Sequence, residues 1–149
     1  MIPNIIHYCW FGRNPLPQSA IKCINSWKKF FPDYEIKEWN EDNFDVNIIP
    51  YTAEAYEAKK YAFVSDYARF WILYHFGGIY FDTDVEVIKP FDDILERGPF
   101  MGIEVDSPND SIAPLVNVYF LFSISFTVVI IFLVESKGNS STLGYFSSI

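Results

Sequence analysis

Cysteine is nearly absent from this chain. Its 149 residues contain two, Cys9 and Cys23, too few for a disulfide framework and without the paired Cys-x-x-Cys or His-rich spacing that holds zinc. They read as reduced, partly buried thiols. Basic residues are also scarce: 11 Lys and Arg stand against 19 Asp and Glu, for a net charge of −8. Nucleic-acid binding needs clustered cations to displace counterions, so this composition argues against it, and an anionic substrate would need a metal ion or a local basic spot. The N-terminus has no basic region ahead of its apolar run and reaches His7 and the Gly12-Arg13-Asn14 turn too soon for a signal peptide. No export is implied, and a cytoplasmic location is expected. Internal repeats are missing as well.

Apolar and aromatic side chains are plentiful instead. Half of the residues are hydrophobic and 19% are aromatic, which suits one sizeable core and excludes a disordered or collagen-like chain. Charge then disappears near residue 111: every charged residue except Glu135 and Lys137 lies before that point. Residues 112–134 form an uncharged run rich in Val, Ile and Phe, long enough to cross a bilayer at about 20 residues per span. Three readings stay open for it: a transmembrane helix that attaches the chain to membrane, buried core strands, or a segment unrelated to the domain before it. The organisation expected is a domain over 1–111 followed by an apolar tail over 112–149.

Before the break, strands and helices alternate. Residues 5–11 form a short apolar run stopped by Gly12, Pro15 and Pro17, which reads as a buried strand. Residues 19–31 place Ile24, Trp27 and Phe31 at helical spacing, and 34–39 alternate as a second strand. A continuous helix is expected from 53 to 76, with Ala62, Phe63, Tyr67, Phe70, Leu73 and Tyr74 on its apolar face and Gly77-Gly78 as its stop. Strand-like pieces follow at 79–81 and 85–88, then a short helix at 91–97 and a strand at 100–104. This alternation predicts an α/β fold with a mainly parallel sheet.

Two carboxylates, Asp82 and Asp84, leave the apolar layer at the end of the strand at 79–81. Ligands of open α/β sheets bind at such strand ends. Paired hard oxygen ligands suit Mg²⁺ or Mn²⁺ bridging a diphosphate, and the ion would bring the positive charge that the chain lacks. Two Asp in a surface turn are commonplace, so the neighbours matter. Asp66 and Arg69 stand at i, i+3 on one side of the expected helix, flanked by Phe63, Val64, Tyr67, Phe70, Trp71 and Ile72. A charged pair set in so apolar a helix points to a half-buried, working pair rather than a solvated one.

Taken together, IPNIIHYCWFG at 2–12, YEIKEWNEDNFD at 34–45 and SDYARFWILYHFGGIYFDTDVEVIKP at 65–90 resemble the glycosyltransferases with a DXD sugar-binding region, family 32. That family takes in initiating α-mannosyltransferases, bacterial capsular-polysaccharide sugar transferases and, more distantly, clostridial glucosylating toxins. The resemblance covers residues 2–106. It implies a GT-A-like, Rossmann-like nucleotide-sugar domain, incomplete at its C-terminus, that moves a sugar from a UDP- or GDP-sugar to a saccharide or glycolipid acceptor with retention, in glycan or polysaccharide biosynthesis. It implies that Asp82 and Asp84 hold Mn²⁺ or Mg²⁺ and the diphosphate, with Asp84 the more direct ligand. Asp66 and Arg69 would hold the donor sugar and its phosphates and act with the DXD pair in catalysis. Tyr80 would belong to the same donor site, and Tyr8 and Trp10 would pack against the nucleoside. No counterpart of the family's downstream motifs is found in 112–149. A catalytically inactive nucleotide-sugar-binding fragment tethered to membrane is therefore the competing expectation. A metal-dependent phosphohydrolase fits less well, because no His or Lys is placed near the DXD as a proton carrier; His75 is the closest, and it lies at the end of an apolar helix.

Overall fold

A computed structural model of the chain describes residues 2–98 and two short segments at 128–130 and 146–148. The first strand, β1 (Ile5–Cys9), runs into a loop and the helix α1 (Gln18–Phe30), which returns the chain to β2 (Glu35–Trp39). Two helices follow, α2 (Pro50–Glu57) and α3 (Tyr61–Phe76), and then β3 (Gly78–Tyr80), β4 (Val85–Val87), the single-turn helix α4 (Asp92–Leu95), β5 (Val128–Ile130) and β6 (Phe146–Ser148). The main sheet has the order β2-β1-β3-β5, and all three of its pairings are parallel. β4 and β6 form a separate antiparallel pair. The expected mixed α/β fold with a parallel sheet is thus present.

Each strand of a parallel sheet alternates its side chains between two covered faces. Ile6 and Tyr8 of β1 and Ile79 of β3 point to the side of α1, where they join Cys23, Ile24, Trp27 and Phe31 in one core. Cys9 and Tyr80 point to the other side and pack with Val64, Ala68, Ile72 and Leu73 of α3. The helical spacing of Ile24 and Trp27 is therefore realised as a buried stripe on α1, and Phe31 is buried just past its end. Lys28 and Lys29 in the last turn of α1 complement the negative end of the helix dipole.

Two expectations need correction. The continuous helix over 53–76 is two helices, because α2 ends at Glu57 and Lys59 takes a left-handed φ of 56° before α3 starts at Tyr61. No Gly or Pro marks that break; the chain turns there so that α3 can lie on the sheet. The face that α3 buries also differs: Val64, Ala68, Ile72 and Leu73 face inward, whereas Phe63 and Tyr74 are exposed. α3 is apolar around most of its circumference, so periodicity did not single out a face, and the small Ala68 lets the helix approach the sheet closely.

α3 stops at Gly77, with φ 66°, and Gly78 follows with φ 86°. A Cβ on Gly78 would lie 2.6 Å from the Ile5 carbonyl oxygen, so the tight passage from α3 into β3 requires glycine there. Of the apolar run 112–134, Val128–Ile130 is described, as a strand paired with β3, and the rest lies outside the described residues, as does the strand expected at 100–104. Among the described residues, no helix is long and apolar enough to cross a membrane.

Candidate active site

β1 and β3 run parallel, so their carboxyl ends open on the same edge of the sheet. Asp82, Thr83 and Asp84 form the turn that leaves β3, closed by the Val85 N–H donating to the Asp82 carbonyl at 3.1 Å. Below this turn lies the side chain of Arg69, only 8% exposed although it carries a full charge. Its guanidinium donates to Asp66, one helical turn back, and to Asp82, 3.4 Å away. The side chains of Asp66 and Asp82 remain 48% and 34% exposed, so the buried cation joins two carboxylates that still reach solvent. Such a fork of donors suits paired oxygen acceptors better than a lysine would.

Tyr80 supports this pair from beneath. It is buried, and the Arg69 guanidinium sits 5.6 Å from its ring centroid. Burial holds the Tyr80 hydroxyl well above the usual tyrosine range, reinforced by the neighbouring Cys9 and Asp82. Burial likewise pushes the Cys9 thiol up to about 12. Both groups are therefore protonated at neutral pH, and the Tyr80 hydroxyl faces Asp82 as a donor. Asp82 is pushed above the usual carboxylate range by burial; Arg69 opposes that shift and the nearby Asp84 adds to it. Asp84 itself is exposed.

Asp66, Arg69, Tyr80 and Asp82 are thus brought into one cluster, with Asp84 on the adjoining turn. The two aromatic residues read from β1 both pack on the α1 side of the sheet, away from this cluster. Tyr8 lies on the opposite face of the sheet, in the α1 core, where its hydroxyl donates to Glu38 at 2.6 Å and its ring meets Trp27 edge-on at 5.7 Å. Trp10 follows the carboxyl end of β1, half-buried against the margin of the same core; its backbone N–H donates to the Trp39 carbonyl at 2.8 Å and its indole N–H to the Asn14 carbonyl at 2.7 Å.

A group that sequence reasoning did not single out borders Trp10. The Gly12 N–H donates to Glu41 Oε1 at 2.5 Å, and the Tyr56 hydroxyl donates to the same oxygen at 2.8 Å. Arg13 pairs with Asp42 at 2.8 Å. Glu41 and Asp42 sit in the turn after β2, which the parallel register Cys9↔Trp39 sets beside the loop after β1. The polar turn was visible in the sequence; its neighbour was not.

Two carboxylates can hold a hard divalent ion only in part. Among the described residues no group of three His, Cys, Asp or Glu side chains could hold a metal. That donor set still fits Mg²⁺ or Mn²⁺, which are commonly bound by one or two carboxylates completed by substrate phosphates and water. The like charges of the partly buried Asp82 and the exposed Asp84 create the negative field that such an ion relieves.

The family model of the glycosyltransferase sugar-binding region containing the DXD motif matches residues 17–101. An inositol phosphoceramide mannosyltransferase of Schizosaccharomyces pombe is 29% identical over 111 residues, which cover 67% of this chain and 33% of the relative. A glycosyltransferase of Acanthamoeba polyphaga mimivirus is 37% identical over 106 residues, covering 67% of this chain and 42% of the relative. A mannosyl phosphorylinositol ceramide synthase of Saccharomyces cerevisiae is 29% identical over 105 residues, covering 68% and 28%. The matched stretch thus spans between about a quarter and two fifths of these relatives.

Proposed function

This chain belongs to the glycosyltransferases with a DXD-containing sugar-binding region, and from that premise we propose that it forms the donor side of a metal-dependent, retaining hexosyltransferase that takes a UDP- or GDP-sugar. The observation that carries the reading is the buried Arg69, shared by Asp66 and Asp82 at the carboxyl end of β3. A guanidinium in that position is held ready beside the DXD pair, with two carboxylates fixing its fork. The relatives named for inositol phosphoceramide favour a glycolipid headgroup as acceptor.

Transfer breaks the bond between the anomeric carbon and the diphosphate oxygen and forms one to the acceptor hydroxyl oxygen. Negative charge grows on the departing diphosphate. Mg²⁺ or Mn²⁺, held by Asp84 and Asp82, would supply Lewis-acid stabilisation of that charge. Arg69 contributes a fixed positive charge at the same edge, in a partly desolvated setting where it is worth more than in water. Asp66 keeps the guanidinium oriented and, being half exposed, also reaches a sugar hydroxyl. Tyr80, protonated and buried, orients the Asp82 carboxylate. Trp10 offers an indole face to the nucleoside, and stacking of this kind favours an amphipathic ring at a half-buried edge.

Calorimetry of the full chain with UDP or GDP and Mn²⁺ tests the reading. Binding is expected, and the double variant Asp82→Ala, Asp84→Ala should abolish it. Equal affinity in the two proteins would sink the assignment. Turnover is a separate question for a chain that matches about a third of a relative's length, and release of nucleoside diphosphate from the nucleotide-sugar measures it.

A further inference from the structure

Trp10 is anchored by its backbone N–H, which donates to the Trp39 carbonyl at 2.8 Å, and by packing on the margin of the α1-side core. Its indole N–H is fixed by the Asn14 carbonyl, so the tilt of the exposed part of the ring depends on the loop 10–14. That loop has an unusual backbone: Gly12 lies at φ 94° and Arg13, a residue that seldom goes there, at φ 56°. Strained backbone of this kind persists only where its surroundings impose it. Here the constraints come from two directions. The Tyr61 ring fills the place of a Gly12 Cβ, which would stand 2.4 Å from Cε2, and Tyr61 packs on Tyr56 with ring centroids 5.5 Å apart. From the β2 side, Glu41 Oε1 accepts both the Gly12 N–H and the Tyr56 hydroxyl. These bonds and the positive charge of Arg13 hold the Glu41 carboxyl below its usual range, although burial pushes the other way, so the acceptor is ionised at neutral pH. The Trp10–Trp39 backbone bond fixes only the start of the loop, and the pair Arg13–Asp42 joins side chains 61% and 70% exposed, so open to solvent and salt that it restrains little.

We infer that Glu41 is a positioning residue for nucleoside recognition: one carboxylate oxygen locks the Gly12 amide to Tyr56 and thereby sets the loop that aims Trp10 at the base. The inference rests on the donor-site reading and deepens it. It divides the donor between two supports, with the diphosphate on the β3 turn and the nucleoside on a loop that Glu41 holds from β2.

The division can be measured. With the full chain, calorimetry compares two probes in Mn²⁺, a nucleoside diphosphate (UDP or GDP) and inorganic pyrophosphate. Glu41→Ala should weaken nucleoside diphosphate binding about tenfold, on the order expected for losing a charge-assisted bond, and leave pyrophosphate binding within about twofold. Glu41→Gln, whose carbonyl oxygen can still accept the Gly12 N–H, should recover most of the loss. Gly12→Ala, which drives the loop off the Tyr61 ring and pulls its amide from an unaltered Glu41, should give the same selective defect and serves where Glu41→Ala does not fold. Unchanged nucleotide affinity in Glu41→Ala would overturn the inference, as would an equal loss for pyrophosphate in both variants, because that marks general disruption. A parent chain that binds neither nucleotide would overturn the donor-site reading itself.

Discussion

On the α1 side of the sheet, Trp27, Phe81, Phe91 and Phe31 meet ring to ring, with centroids 4.8 to 6.3 Å apart, and the Trp27 indole N–H donates to the Val85 carbonyl at 2.7 Å. On the α3 side, His7, Arg69 and Tyr80 are buried among apolar side chains, with hydrogen bonds that cross between elements. One face is a mainly aromatic layer whose polar tips, the Trp27 indole and the Tyr8 hydroxyl, are bonded within the fold, and the other has charged and ionisable groups set into it. The difference follows from what each face must do. A layer that mainly excludes water is stabilised chiefly by apolar burial, with few polar tips to satisfy. A layer that presents charge to a ligand needs buried polar groups, and each of these needs a partner within the fold.

His7 shows how closely that requirement is met. The Trp39 indole N–H donates to His7 Nδ1 at 3.0 Å, which assigns the proton to Nε2, and Nε2–H donates to the Gly77 carbonyl at 3.0 Å. The ring thus ties β2, β1 and the Gly77–Gly78 passage together across the sheet. Both bonds use the neutral imidazole. Burial lowers His7 from 6.5 to about 4, opposed by the Gly77 bond and aided by Lys37.

The largest effect that would sharpen the contrast is expected from Trp27→Ala. Emptying the centre of the α1 face should cost roughly 3–5 kcal/mol of stability in chemical denaturation. The folded fraction should keep its Mn²⁺-dependent nucleotide affinity, and a selective loss of affinity would break the division between faces.

Next comes the pH dependence of stability. The folded value of His7 lies below the unfolded one, so the unfolded chain takes up a proton first as pH falls. The stability tied to neutral His7 is fully present above 6.5 and is lost between 6.5 and about 4. The shift corresponds to about 3 kcal/mol in all. Denaturation of the parent chain and His7→Gln between about pH 5 and 6.5, above most carboxylate titrations, should show a steeper fall for the parent. Equal slopes would show that His7 is not held neutral by the fold.

The smallest expected effect is Arg69→Lys. Lysine keeps the charge but cannot fork between Asp66 and Asp82, so nucleoside diphosphate affinity should fall by about 1.5 kcal/mol, roughly tenfold, with a smaller change in unfolding midpoint. A large drop in stability with unchanged affinity would move Arg69 from the site to the scaffold.

Much of this arrangement was legible residue by residue. Asp82 and Asp84 stand directly after an apolar strand, and the structure sets them on the turn leaving β3. Asp66 and Arg69 at i, i+3 do bond, and Arg69 is buried as its apolar neighbours suggested. The break at Lys59 was not legible, because a left-handed lysine has no signature in composition. Nor was the inward face of α3, where Phe63 and Tyr74 carry as much apolar character as Val64 and Ile72. Glu41 lay in a polar turn that resembled any other.

The sequence by itself determined the alternation of β1, α1 and β2, the strand-end placement of the DXD pair and the Asp66–Arg69 contact. Each depends on residues within a turn or two of one another, where spacing and backbone geometry act directly. The tertiary structure alone decided that Tyr8 is buried in the α1 core and Trp10 half-buried at its margin. It also decided that Arg69 meets Asp82 across the α3–β3 passage and that Glu41 reaches Gly12 from another strand. Those contacts join segments 13 to 30 residues apart through the parallel register of β1 with β2 and β3, and only packing the helices on the sheet establishes that register.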